Sequence, residues 1–169
     1  SKWVLAEHGV TMFFVLSGFL ITYLLIREYN INHNIKIKNF YVRRILRIWP
    51  LYFLYIIITL LIICLITKFK LDSNLIYYIV MLPNVPFINA ENYPVMYHLW
   101  SIGVEEQFYL FWPFIFLTFI KKSFVKKVII CIVFLSVFRL IIWYFMPFSK
   151  LAILSIVNRF DCMFFGALV

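Results

Sequence analysis

Long apolar runs alternate with short polar segments along the whole chain. An α-helix needs about 20 residues, and at least about 17, to cross the hydrocarbon core of a bilayer. The runs therefore predict five membrane-spanning helices, at about 10–26, 48–67, 99–120, 128–146 and 151–169. Prolines and asparagines interrupt the apolar pattern between the second and third runs. We expect an external loop there, at 68–97, with an interfacial or re-entrant helix.

The composition fits a membrane protein. Apolar residues make up 65% of the chain and charged residues 14%, whereas a soluble domain is about half apolar and a quarter charged. A soluble globular domain and a disordered chain are both excluded. The predicted fold class is all-α, a polytopic helical bundle. The sequence starts at Ser1 and stops at Val169 inside an apolar run, so we expect a fragment of a longer protein.

The basic residues predict the orientation of the helices. Ten lysines and arginines lie in the segments 27–47 and 121–127, and four lie on the opposite side. Basic loops face the cytoplasm, which indicates a multi-pass protein of the inner (plasma) membrane. Binding to nucleic acid is not expected, although the net charge is +9, because this charge lies on short loops between spanning helices. Three isolated cysteines give no metal-ligand spacing, so no metal site is predicted.

The stretch from His98 to Tyr109 places ionisable side chains inside a spanning helix. At 3.6 residues per turn, His98, Ser101 and Glu105 share one face. Glu106 points about 100° away. The first three are the candidate catalytic residues, because a histidine, a hydroxyl and a carboxylate together can relay a proton. The alternative, which spacing alone favours, is a polar stripe that joins helices by hydrogen bonds.

Three arginines form the second candidate site. Arg43, Arg44 and Arg47 follow one another at helical spacing next to the cytoplasmic surface. Convergent guanidiniums suit a polyphosphate, because arginine binds phosphate with two parallel hydrogen bonds. Charge alone favours the alternative, an ordinary basic anchor that contacts lipid phosphates.

Two further residues need an explanation. Ser17 forms a small pair with Gly18 inside an aromatic helix, which allows close helix packing. We do not favour a nucleophilic Ser17, because the chain has no GxSxG motif and no base at a readable spacing. Arg139 lies deep in its predicted helix, where a lone charge is expensive. Similar depths on neighbouring helices predict Glu105 or Glu106 as its partner.

Four segments together resemble the membrane-bound acyltransferase type 3 family. They are FFVLSGFLI at Phe13–Ile21, FYVRRILRIWP at Phe40–Pro50, HLWSIGVEEQFYLFWP at His98–Pro113, and Arg159-Phe160-Asp161 followed by Gly166. The order and spacing of these segments agree with the family over nearly the whole chain. The resemblance implies an O-acyltransferase that moves an acyl group, usually acetyl, from cytoplasmic acyl-CoA to a hydroxyl of a cell-surface or exported glycan.

The resemblance also assigns roles to residues. Arg43, Arg44 and Arg47 match the family's RRxxR motif, which handles acyl-CoA, and Ser101 and Glu105 belong to its WSxxxE element. Acyl-CoA is a donor substrate, and no permanently bound cofactor is expected. The implied partners are acyl-CoA, a glycan or glycolipid acceptor and the lipid bilayer.

One departure from the family affects the mechanism. The essential histidine of the family lies in an earlier helix, which we expect upstream of Ser1, and His8 does not match it. Thr11 stands where many members carry an acidic residue. We therefore expect the fragment alone to be inactive. The alternative function is a non-catalytic membrane transporter or scaffold for glycan or lipid cargo, which would lack the upstream histidine.

Overall fold

The computed structural model describes residues 2–66, 72–91, 93, 95–147, 149, 152 and 159–168, and their side chains from residue 8 onward. This described part is helical and contains no strand, which confirms the all-α fold class. A 3₁₀ turn at Tyr97–Leu99 leads into the fifth helix. The α-helices are α1 (Lys2–Asn32), α2 (Ile37–Ile66), α3 (Leu75–Ile79), α4 (Asn84–Asn89), α5 (Trp100–Phe119), α6 (Phe124–Phe145) and α7 (Phe160–Gly166).

Three of the described helices are long and apolar enough to cross a membrane. They are His8–Asn32 within α1, all of α2, and all of α6. Helix α5 corresponds to the predicted span 99–120 but is not one of the three, because Glu105, Glu106 and Gln107 make its first half polar. Of the predicted span 151–169, residues 151, 153–158 and 169 lie outside the described residues, and its last part contains α7.

Helix α2 corrects one prediction of the element boundaries. The sequence predicts a span that begins at residue 48, but α2 is one continuous helix from Ile37 to Ile66 with Pro50 inside it. Proline removes one backbone hydrogen bond and strains the preceding turn, and membrane helices tolerate this where neighbouring groups compensate. One stripe of α2 is buried, and it consists of Phe40, Arg44, Tyr52, Ile56, Thr59 and Ile63.

The chain divides into two compact units. The first unit contains residues 1–35 and 104–169, and the second contains residues 36–103. In the first unit α7 packs against α1 and α6. Glycines allow the closest of these approaches: a Cβ on Gly18 would overlap the backbone of Met163, and a Cβ on Gly166 would overlap that of Val15. Small residues on both helices thus bring two backbones into direct contact.

In the second unit the segment before α5 folds onto α2. Its core consists of Tyr52, Ile56, Tyr78, Met81, Tyr93, Met96 and Leu99. The Tyr52 hydroxyl donates a hydrogen bond to the Tyr78 carbonyl at 2.9 Å, and the Tyr93 hydroxyl donates to the Asp72 carboxylate at 2.7 Å. The predicted loop at 68–97 is therefore a packed segment in its described part, with two short helices.

We expect Gly18→Ala to destabilise the first unit by about 1–3 kcal/mol, because an added methyl group overpacks the contact with α7. Gly9→Ala is the matched control, since a Cβ on Gly9 meets no atom within 4 Å. Thermal unfolding of the purified protein in detergent measures both. Equal unfolding temperatures for the two variants would show that the α1–α7 contact is not tight.

The Asp72–Tyr93 pair predicts a dependence of stability on pH. The hydrogen bond from Tyr93 lowers the pKa of Asp72. The pKa of Tyr93 is raised to about 12, mainly by burial and to a smaller extent by the same hydrogen bond. Asp72 therefore contributes to the free energy of unfolding above about pH 4, and this contribution disappears as the pH falls through the lowered pKa of Asp72. The contribution of Tyr93 is present below about pH 10 and disappears as the pH rises through about 12.

Absorbance titration of the tyrosines tests this pair. Tyr93→Phe should remove a titration step near pH 12. Asp72→Asn should move that step only part of the way toward the ordinary tyrosine pKa of about 10, because burial is the larger cause of the raised pKa of Tyr93. A step unchanged in both variants would contradict the assignment.

Candidate active site

The first unit buries a carboxylate between two helices. Glu105 of α5 is only 4% exposed, and the Ser17 hydroxyl of α1 donates a hydrogen bond to its Oε1 atom. Burial of an ionised carboxylate away from water is costly unless the carboxylate is paired or hydrogen-bonded. A carboxylate that is buried at such a cost is a candidate functional residue, and Ser17 is one hydrogen-bonding partner that the fold supplies.

A second hydrogen bond joins the same two helices. The indole Nε1 of Trp112 donates to the Thr22 hydroxyl at 2.9 Å. Thr22 lies C-terminal to Ser17 on α1, and Trp112 lies C-terminal to Glu105 on α5. The two bonds follow the same order along both helices, so α1 and α5 run in the same direction, as the distribution of basic residues predicts. Together they fix both the rotation and the axial position of α5 against α1.

Arg139 of α6 forms its ion pair with Asp161 of α7, at 2.6 Å between Nη2 and Oδ1. This aspartate was not the predicted partner, which was Glu105 or Glu106 on α5. The depth of Arg139 correctly indicated a carboxylate partner, but Asp161 lies in the last apolar run, and the sequence did not define the position of that run. Two residues earlier, Arg159 donates a hydrogen bond to the Thr11 hydroxyl of α1.

Aromatic side chains pack around the part of α5 that is C-terminal to Glu105. Phe108 stacks on Trp112 with ring centroids 5.2 Å apart, and Trp112 is completely buried. The cluster consists of Phe108, Trp112, Phe116, Phe124, Phe160 and Phe164. This aromatic cluster lowers the local dielectric constant, and electrostatic interactions are therefore stronger there than in water.

His98 and Ser101 belong to the second unit. The Ser101 hydroxyl donates to the His98 carbonyl at 3.1 Å, a bond within the start of its own helix. His98 is exposed, and its ring meets those of Tyr55 and Tyr97 nearly at right angles, with centroids 5.3 and 5.8 Å away. A proton relay through His98, Ser101 and Glu105 stays a prediction.

The three arginines of α2 are not equivalent. Arg44 is buried at 8% exposure, and its guanidinium lies over the ring of Phe40, 5.9 Å from the centroid. Arg43 and Arg47 are exposed and lie one helical turn apart on a neighbouring face. The expected convergence of the three guanidiniums on a phosphate group stays a prediction.

Ser17 and Asp161 are the residues whose partnerships the sequence did not predict. Ser17 is 88 positions from Glu105 in the chain, so no local spacing could reveal the bond. A usable signal for Asp161 was its place beside Arg159 in the last family segment. Among the residues that the structure describes, no group of three or more histidine, cysteine, aspartate or glutamate side chains could hold a metal ion.

Comparison with known proteins gives a consistent match. Residues 2–169 match a family described as an acyltransferase domain. The O-acetyltransferase OatA of Staphylococcus aureus strain NCTC 8325 is 38% identical over 117 residues, which are 63% of this chain and 19% of that protein. A protein of strain COL, named provisionally as an O-acetyltransferase, is 34% identical over 124 residues, 65% of this chain and 20% of that protein. This chain spans about a fifth of these relatives, and no solved structure matches it.

Proposed function

This chain belongs to the acyltransferase family that its residues 2–169 match, and we propose that it is part of a membrane O-acetyltransferase. In this proposal the enzyme transfers an acetyl group from cytoplasmic acyl-CoA to a hydroxyl of a cell-surface or exported glycan, across the inner (plasma) membrane. The family match along nearly the whole chain is the observation that carries the proposal. The names of the relatives support acetyl as the group and oxygen as the acceptor atom.

The reaction makes three demands on the protein. The bond between the acetyl carbonyl carbon and the CoA sulfur breaks, and a bond from that carbon to the acceptor oxygen forms. The acceptor hydroxyl loses its proton to a base, and the sulfur leaves as a thiol after it gains a proton. The charge that develops on the carbonyl oxygen requires a hydrogen-bond donor or a positive charge nearby.

The described residues include candidates for two tasks in this reaction, namely binding of the donor and orientation of the base. The exposed Arg43 and Arg47 of the second unit would bind the pyrophosphate or the 3′-phosphate of acyl-CoA by paired hydrogen bonds. The buried Glu105 of the first unit would orient the base that takes the proton, which the family resemblance assigns to an upstream histidine. His98 is exposed and would contact the acceptor.

Transfer of labelled acetyl groups tests the proposal. Membranes from cells that express the complete gene product are incubated with acetyl-CoA that carries the label in the acetyl group, and the glycan fraction is then collected. We expect label that alkaline treatment releases as acetate, as an ester requires. Membranes that lack the protein are the control. No label above that control would favour the alternative, a non-catalytic transporter or scaffold.

The exposure of the arginines predicts two different mutant phenotypes. Arg47→Ala should raise the KM for acetyl-CoA about 10- to 100-fold, since a hydrogen bond to a charged group contributes about 1.5–3 kcal/mol. Arg47→Lys should restore it poorly, because the paired geometry is lost. Arg44→Ala should instead lower the amount or the thermal stability of the protein, because Arg44 is buried against Phe40.

Lys126→Ala is the matched control, since Lys126 is an exposed basic residue on the predicted cytoplasmic side. Its KM should equal the wild-type value. An Arg47→Ala enzyme with an unchanged KM would contradict phosphate binding at this pair.

A further inference from the structure

Ser17 has no role in the reaction described so far, although its hydroxyl contacts the most deeply buried carboxylate of the described residues. It donates a hydrogen bond to Glu105 Oε1 across the contact between α1 and α5. A hydroxyl that donates to a carboxylate forms a charge-assisted hydrogen bond, which is shorter and stronger than a bond between neutral groups. Such a bond restricts the rotation of the glutamate side chain about its terminal torsion, which is otherwise broad.

The backbone around Ser17 is held from both sides. Gly18, the next residue, contacts the backbone of α7 so closely that no Cβ fits there. Thr22, five positions later, accepts a hydrogen bond from Trp112 of α5 at 2.9 Å. The Ser17 hydroxyl therefore sits on a segment whose position is fixed relative to α5. This is the condition under which a single hydrogen bond can orient a catalytic group to within a fraction of an ångström.

We propose that Ser17 is a positioning residue, which holds the Glu105 carboxylate in the orientation that acyl transfer requires. The proposal rests on the O-acetyltransferase activity proposed above. In it, Ser17 touches neither donor nor acceptor and forms no covalent intermediate. A displacement of about 1 Å in a reacting or orienting group can reduce a rate about 100-fold, so the loss of this one bond should be visible in kcat.

Thr22 provides the comparison that separates positioning from simple helix packing. Its hydroxyl also joins α1 to α5, but its partner is the uncharged indole of Trp112. Both hydroxyls are part of the same helix pair, five residues apart. If hydrogen bonds of α1 only hold the two helices together, removal of either hydroxyl should have the same consequences.

The test measures kcat and KM for acetyl-CoA in membranes with the complete gene product. Ser17→Ala should lower kcat about 10- to 100-fold, with KM within about twofold of wild type because uniform substrate binding is unaffected. Ser17→Thr retains the hydroxyl and should keep most of the activity. If Ser17→Ala does not accumulate, Ser17→Cys replaces it, since a thiol is a weak donor in nearly the same volume. Thr22→Val should lower thermal stability and should reduce kcat per folded protein much less than Ser17→Ala does, because the hydrogen bond from Ser17 to Glu105 remains.

A double-mutant cycle with Glu105→Asp decides whether Ser17 acts through the carboxylate. Aspartate moves the carboxylate away from Ser17 by about one methylene group and leaves a measurable rate. Addition of Ser17→Ala to Glu105→Asp should then reduce kcat by less than about twofold, because residues that act as one unit are not additive. Multiplicative losses, or a wild-type kcat in Ser17→Ala, would overturn the proposal. Absence of acetyl transfer by the wild-type protein would instead reject the proposed function itself, and with it this role.

Discussion

The first unit is organised by the need to keep a carboxylate inside an apolar bundle. Glu105 is almost fully buried on a helix whose other side chains are mainly aromatic and aliphatic. A charge or polar group in such surroundings is tolerated only with a hydrogen-bonding partner. That partner must come from another helix, and α1 provides it with Ser17. The rotation and axial position of α1 against α5 follow from this requirement, and the Trp112–Thr22 bond maintains them two turns further along α5.

Helix α7 completes this arrangement in the same way, by pairing polar groups at a close backbone contact. Gly18 and Gly166 allow α1 and α7 to touch, and Arg159 and Asp161 at the start of α7 then meet Thr11 of α1 and Arg139 of α6. Removal of one member of such a pair would leave the other polar group unpaired in a site of low dielectric constant. Each pair therefore specifies which helices are neighbours, besides any stability that it contributes.

The sequence predicts the helices well but not the pairs between them. Apolar runs are a local signal, and they identify α1, α2, α5 and α6 and the common direction of α1 and α5. The depth of Arg139 correctly demands a carboxylate, yet several carboxylates satisfy that demand, and the choice of Asp161 depends on the position of α7. The burial of Arg44 was missed because helical spacing alone does not show which face of α2 the following segment covers. The predicted second span begins at residue 48, whereas α2 begins at Ile37 and continues through Pro50.

The most direct test of this account compares two neighbouring glutamates. Acetyl transfer from labelled acetyl-CoA is measured in membranes with Glu105→Gln and Glu106→Gln variants of the complete gene product, normalised to the amount of protein. Glu105 is buried with Ser17 as its partner, whereas Glu106 is partly exposed on a different face of α5. The account predicts a loss of at least about 100-fold for Glu105→Gln and a rate near wild type for Glu106→Gln. A larger loss for Glu106→Gln would contradict it.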